Sequence, residues 1–400
     1  MSPLESACPA EVETRDRDSV LGTYARTSFH PRTGRGAKLF DAGGRAYWDL
    51  LGGIAVNALG SRNPRLVRAL ASASRGVWHV SNLFFHPSQG LLAERLVRSS
   101  GLSKAFFCNS GTEANEAALK LARLAHPGRG EVVALEEGFH GRTLGALSVT
   151  GHDAYRQPFA PLVPGARFVP ANDVPALRLA VSSATSAILL EPIMGEAGVI
   201  PLSDAFLRAA RALADATGAA LIFDEIQCGL GRTGRLFAFE HSGVVPDAVT
   251  LAKALGGGLP LGAVVVGEKL ADGVRPGHHG TTFGGNPLAC GLGLALLEEI
   301  EEKRLLDRVA GIGRRFGASL RALARRRPAI RDVRGRGLMW GIELDRPAAA
   351  VAGRLLERGF VVGTARERVI RLLPPYIVPG TALTAFVRAF EDVLSEETPV

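Results

Sequence analysis

At 400 residues, with 46% hydrophobic and 22% charged side chains, the chain is too long for one comfortable core and reads as a globular protein of two domains. Its net charge of +8 is scattered rather than striped, and only 6% of residues are aromatic, which argues against a nucleic-acid footprint. No apolar stretch reaches membrane-spanning length, and four widely spaced cysteines without metal spacing suit a reducing cytoplasm rather than a disulfide framework.

Residues 1–18 are rich in acids, lack the apolar core of a signal peptide and are expected to form a loose tail. Residues 39–48 read as a hairpin around Asp41-Ala42-Gly43-Gly44, and Asn63-Pro64 opens a helix to about Ala73. Short apolar strands at 105–108, 132–135, 187–190, 220–223, 249–252 and 263–266 then alternate with helices at 112–125, 203–217 and 288–302. This alternation predicts an α/β fold, a mostly parallel sheet with helices on both faces. Beyond Lys303 the pattern is helix to Arg326, strand 337–344, helix 348–358, strand 369–373 and helix 381–394, a small α+β domain. The expected boundaries are a large domain over 61–302 and a small one over 303–400. Residues 19–60 are expected to join the small domain, making it discontinuous.

In open α/β sheets, ligands bind outside the carboxyl ends of the strands, and four signals fall there. Strand 105–108 runs into Asn109-Ser110-Gly111-Thr112-Glu113, a small-residue turn at a helix N-terminus that suits a phosphate. By itself that turn is more simply an ordinary N-cap. Strand 219–223 ends in Asp224-Glu225-Ile226-Gln227, and carboxylates just beyond an apolar run need a charged or hydrogen-bonding partner. A pyridinium nitrogen, a metal or a salt bridge would each serve. Strand 249–252 ends in Lys253 before Gly256-Gly257-Gly258, where desolvation lowers an amine's pKa and activates it. The chain has six lysines, and Lys253 alone has this strand-end setting. Finally, Gly280-Thr281-Thr282-Phe283-Gly284-Gly285 is a hydroxyl-rich loop before the helix start Asn286-Pro287, able to add phosphate contacts.

Two motifs are decoys. Gly229 to Gly234 fits G-x-G-x-x-G, but five residues separate it from the strand and no helix start follows, so a dinucleotide site is not expected. His278-His279 has no acid or cysteine at ligand spacing, and no metal is expected.

Taken together, Leu221 to Gln227, Gly231-Arg232-Thr233-Gly234, Pro246-Asp247 and Ala252 to Gly258 resemble the class III aminotransferases, a fold-type-I pyridoxal-phosphate family. The resemblance runs from about Thr27 to the C-terminus. Gly52 to Gly60, Phe107 to Glu116 and Phe139 to Thr143 are most similar to its acetylornithine branch. The implied reaction moves the terminal amino group of N-acetylornithine, or a similar ω-amino donor, to 2-oxoglutarate, giving glutamate and a semialdehyde. The resemblance implies that Lys253 carries pyridoxal 5'-phosphate as a Schiff base and then moves the proton. It implies that Asp224 pairs with the ring nitrogen, Ile226 packs on one ring face, Phe139 covers the other and Gln227 bonds the ring hydroxyl. Ser110, Gly111 and Thr112 would hold the phosphate, joined by Thr282 from a partner subunit, which implies a homodimer with shared sites. Arg142 and Arg371 would bind substrate carboxylates, with Thr281 beside the substrate and Glu196 pairing with Arg371 when no α-carboxylate occupies it.

Some positions depart from the family pattern: Ser61 and Asn63 replace two histidines, Cys228 a threonine and Met194 a glutamine. Ornithine enzymes carry a tyrosine where this chain has Phe29, and lack of that hydroxyl favours a neutral acetylamino group over a free ammonium. Ornithine, 4-aminobutyrate and lysine-pathway donors remain open on the same scaffold. Another pyridoxal-phosphate reaction would share the cofactor residues and differ at the arginines. A nicotinamide oxidoreductase would need the missing fingerprint, and intact Lys253 and Asp224 speak against an inactive interaction protein.

Overall fold

The computed structural model describes residues 8–396 and centres on a seven-stranded sheet. Its strands are β1 (Lys104–Cys108), β2 (Glu131–Leu135), β3 (Ala166–Val169), β4 (Thr185–Leu190), β5 (Ala220–Asp224), β6 (Ala248–Leu251) and β7 (Gly262–Val266), in the spatial order β1-β7-β6-β5-β4-β2-β3. β7 runs antiparallel to both of its neighbours, and the other four pairings are parallel. Six carboxyl ends and the start of β7 therefore share one edge.

Burial explains why these strands are continuous apolar runs. Every residue of β4, β5, β6 and β7 is buried, as expected of strands covered on both faces. Alternate residues enter two separate cores. Val133, Leu190, Phe223 and Leu251 pack with Phe206 of helix Asp204–Thr217 and Leu296 of helix Pro287–Glu302. Val132, Leu189, Ile222 and Val264 pack with Ala118 and Leu121 of helix Gly111–Ala125.

A second, antiparallel sheet combines Ile330–Arg336, Met339–Leu344, Val369–Leu372 and Gly363–Ala365. The hairpin Lys38–Asp41 and Ala46–Asp49 belongs to a third sheet. That sheet is completed by Pro31–Arg35 and by Phe360–Val361, which pairs in parallel with Ala46–Asp49. Among the described residues no helix is long and apolar enough to cross a membrane.

Several elements differ from the sequence reading. Pro9–Ser19 is a helix, not a loose tail; Pro9 fits its first turn, and none of its side chains is buried. The rest of that tail, residues 1–7, lies outside the described residues. Helix Pro87–Ser100 was not anticipated, although its signals are present: Pro87 opens it, and Gly101 closes it in the left-handed conformation, φ 71°. Strand Ile330–Arg336 escapes recognition because its arginines and Asp332 interrupt any apolar run.

Candidate active site

A cavity of about 470 Å³ opens on the shared strand edge, a size typical of small-molecule sites. Five strand exits deliver residues to it: Ser110, Gly111 and Thr112 after β1, Phe139 to Arg142 after β2, Glu191 after β4, Asp224, Ile226 and Gln227 around the end of β5, and Lys253 after β6. Residues 258–261, leading into β7, close the wall.

The phosphate candidate is the start of the 15-residue helix Gly111–Ala125. Ser110 caps it by accepting the Glu113 N–H at 3.3 Å, which leaves the first turn facing the cavity with the positive end of the helix dipole. Glycine is required there, because a Cβ on Gly111 would stand 2.7 Å from Ile226 Cδ1. Opposite, Gly141 (φ 140°) lets its loop approach so closely that a Cβ would run into Thr112 Oγ1. That oxygen also bonds Thr143 Oγ1 at 2.8 Å.

Asp224 is 4% exposed, and three donors converge on its carboxylate. Asn115 Nδ2 at 2.7 Å and His140 Nδ1 at 2.8 Å donate to Oδ2, and the Ile226 N–H donates to Oδ1 at 3.1 Å. A carboxylate accepts only, so His140 carries its proton on Nδ1. Asn115 is fixed in turn by donating to His140 O and accepting from Thr250 Oγ1. Glu225 points away, as alternation demands. It accepts the N–H groups of Ala238 and Phe239, and burial pushes its carboxyl up to about 8. Glu191 is likewise buried and raised to about 7, chiefly by desolvation, while accepting from Phe139 N and Gly195 N.

Lys253 is half-buried in the cavity wall and opens a short helical turn with φ 42°. Burial lowers its pKa, against the pull of the Asp224 and Glu196 carboxylates. A desolvated amine of this kind is free to act as nucleophile and base.

Arg371 and Glu196 form an ion pair beside the cavity, and Arg371 Nη1 also reaches Gln227 Oε1 at 3.5 Å. Burial alone would raise the Glu196 carboxyl, but Arg371 holds it below the ordinary value. Arg371 is 3% exposed, and its Nε has no hydrogen-bond partner among the described residues, which leaves it capacity for a further carboxylate oxygen. Arg142 is exposed and stacks on Tyr155, 3.7 Å from the ring centroid, with Phe139 at 5.6 Å.

Not every candidate is brought together. Thr281 bonds Asn109 Nδ2 at 3.2 Å outside the cavity lining, and Thr282 is exposed beyond it. Phe29, which the sequence reading placed in donor recognition, packs edge-on against Tyr47 with centroids 4.8 Å apart and does not line the cavity. Conversely, Asn115, His140, Glu191 and Thr250 support Asp224 or line the site without having been assigned roles. Their signals were a polar residue on the inward stripe of an alanine-rich helix (Asn115) and carboxyl or hydroxyl groups ending apolar strands (Glu191, Thr250).

Residues 23–394 match the family model described as aminotransferase class-III. The chain is 46% identical over 382 residues to an acetylornithine aminotransferase of Methanocaldococcus jannaschii, covering 94% of this chain and 96% of that one. It is 44% identical to the Streptomyces coelicolor acetylornithine aminotransferase, covering 96% of each. Among solved structures, the ornithine aminotransferase of Toxoplasma gondii superposes with a TM-score of 0.93 at 31% identity, covering 98% of this chain and 96% of that one. The acetylornithine aminotransferase of Elizabethkingia anophelis gives 0.88 at 30% identity, covering 97% and 99%.

Proposed function

The chain belongs to the class III aminotransferases, and from that premise we propose that it moves the terminal amino group of N-acetylornithine to 2-oxoglutarate, yielding glutamate and a semialdehyde. It is a pyridoxal-phosphate-dependent transaminase. The cavity suits the cofactor in size and in donor set: a desolvated amine, a buried carboxylate for a ring N–H, and a glycine-opened helix start for the phosphate. When bound, the cofactor supplies an electron sink for the substrate carbanion. In this reading Lys253 moves the proton, Asp224 holds the ring-nitrogen proton, and Ile226 and Phe139 enclose the ring.

The observation that carries the reading is the Glu196–Arg371 pair beside Lys253. One site must accept a donor whose reacting carbon lies far from its carboxylate, and then 2-oxoglutarate, whose reacting carbon bears one. With Glu196 paired to it, Arg371 is masked for the first substrate. Glu196, 28% exposed, has room to swing out for the second. Arg142 at the mouth then takes the distal carboxylate. Relatives named acetylornithine aminotransferase support N-acetylornithine as donor, and an acetylamino group suits an apolar wall better than an ammonium does. N-acetylornithine is expected to exceed ornithine in kcat/KM by about tenfold or more with 2-oxoglutarate as acceptor. A ratio near one, or one favouring ornithine or 4-aminobutyrate, would remove the donor assignment and leave the transaminase chemistry standing.

The active unit is proposed to be a homodimer in the cytoplasm, where four unpaired cysteines are at home. The loop 280–285 is pinned by Asn82 to Thr281 O and Gly284 O, both at 3.1 Å, and by Asn109 to Thr281. Thr282, on this pinned loop, is exposed and outside the lining of its own cavity. Exposed Phe283 follows it directly, and the segment that reaches this loop through His79 and Asn82 carries exposed Trp78, Leu83, Phe84 and Phe85, apolar surface that a second copy would cover. Mixing Lys253→Ala subunits with Thr282→Ala subunits is expected to restore part of the activity, because one site of each mixed dimer escapes both changes. Demonstrated exchange without rescue would count against sharing.

A further inference from the structure

The two arginines beside the cavity are held in opposite ways. Arg371 is buried against the carboxylate of Glu196. Arg142 is exposed, lines the cavity, and has no ion-pair partner among the described residues. Its guanidinium lies over two rings instead, 3.7 Å from the Tyr155 centroid and 5.6 Å from that of Phe139. A guanidinium is a flat cation, and a ring face attracts it while leaving its N–H edge free. A carboxylate in the same place would compete with the substrate for those N–H groups. An exposed arginine otherwise loses much rotamer freedom when it grips a ligand, and a stack that fixes it beforehand removes part of that cost.

Tyr155 is placed to do this because its segment is tied to the loop that carries Phe139 and Arg142. It sits on the short helix Asp153–Arg156. Just before that helix, Gly151 N donates to Gly138 O at 2.8 Å, and Thr150 Oγ1 accepts from His140 N at 3.0 Å. Only glycine fits at 151, since a Cβ there would collide with Leu135 O. Arg156 ties the helix to the sheet by lying over the Phe168 ring of β3 at 4.3 Å. His152 stacks on the Tyr155 ring with centroids 4.4 Å apart, and Phe139 meets it edge-on at 6.1 Å and 86°. Tyr155 itself does not line the cavity, so it acts on a substrate only through Arg142.

We propose that Tyr155 is the positioning residue for Arg142, presetting its N–H edge for the distal carboxylate of each substrate. It thereby sets carboxylate affinity in both half-reactions without touching the reacting carbon. The inference rests on the transaminase reading of Arg142 and extends it to a residue outside the cavity.

The test uses the holoenzyme with N-acetylornithine, 2-oxoglutarate and N-acetylputrescine, which is N-acetylornithine without its carboxylate. Tyr155→Leu is expected to raise the KM of N-acetylornithine and of 2-oxoglutarate about fivefold to tenfold, with kcat changed by less than about twofold. For N-acetylputrescine, kcat/KM is expected to change by less than about twofold, an outcome that general loss of structure does not allow. Tyr155→Phe keeps the ring face and is expected to restore both KM values. Tyr155→Met carries the same expectations as Tyr155→Leu if the leucine variant does not fold. Arg142→Ala is expected to raise both KM values by itself, and Tyr155→Leu added to it to contribute less than about a further twofold, because the arginine it serves is gone. Equal losses for donors with and without the carboxylate, a Tyr155→Phe enzyme as impaired as Tyr155→Leu, or full additivity with Arg142→Ala would overturn the proposal and leave the transaminase reading standing. Unchanged KM values in Arg142→Ala would instead refute the role of Arg142, and the proposal with it.

Discussion

Lys253→Ala is expected to lower kcat by about five powers of ten, to the level of the slow reaction of free cofactor and substrate. No neighbour replaces it. The other polar side chains lining the cavity are carboxylates, amides, hydroxyls, an imidazole and an arginine, and none is an amine that can join the cofactor covalently. The same residue gives a test without turnover. Borohydride treatment of the yellow wild-type enzyme, followed by peptide mapping, is expected to leave a pyridoxyl group on Lys253 and on none of the other five lysines. A label elsewhere, or a colourless protein after incubation with the cofactor, would sink the assignment of the site.

Asp224→Asn is expected to fold normally and to lose about three powers of ten in kcat, the usual cost of removing one preorganised electrostatic partner. The surrounding bonds indicate why an amide is a poor substitute. Ile226 N–H, Asn115 Nδ2 and His140 Nδ1 are all donors aimed at this side chain. An asparagine answers them with a single oxygen, and its NH2 must face another donor. His140 can shift its proton to Nε2, but that atom is buried with no hydrogen-bond partner among the described residues. Asparagine thus removes the charge and leaves at least one of the three donors facing its NH2. Turnover within about tenfold of wild type would make Asp224 a structural residue.

The architecture was legible because the strands are continuous apolar runs, and a run buried on both faces leaves an unmistakable trace. Lys253 was legible for a related reason: a lysine directly after such a run has little alternative use. The support of Asp224 was not legible. Asn115 and His140 meet it across separations of 109 and 84 residues, and those meetings depend on a sheet order in which β1 lies beside β7 and β2 beside β4. No local pattern encodes that order. Phe29 fails for the opposite reason. Its residue type was informative, but its position was inferred by analogy, and contact with Tyr47 takes it away from the cavity lining. The left-handed turn from Gly52 to Ala55 was half visible, since Gly52-Gly53 announces unusual backbone whereas Ile54 and Ala55 give no warning.

The parallel pairing of Ala46–Asp49 with Phe360–Val361 has a consequence for biogenesis. Trp48 N and Leu50 N wait for Gly359 O and Val361 O, partners roughly three hundred residues later in synthesis. The stretch that contains Asp49 and the left-handed turn therefore cannot be stitched into place while most of the chain is still being made. β1 waits similarly for β7. Contacts of such sequence separation close slowly and late, so on a ribosome the large sheet's β2 to β6 can assemble first. The stretch of cavity wall around Val56 is then among the last parts to set, and incomplete chains, however well their central strands have formed, lack it.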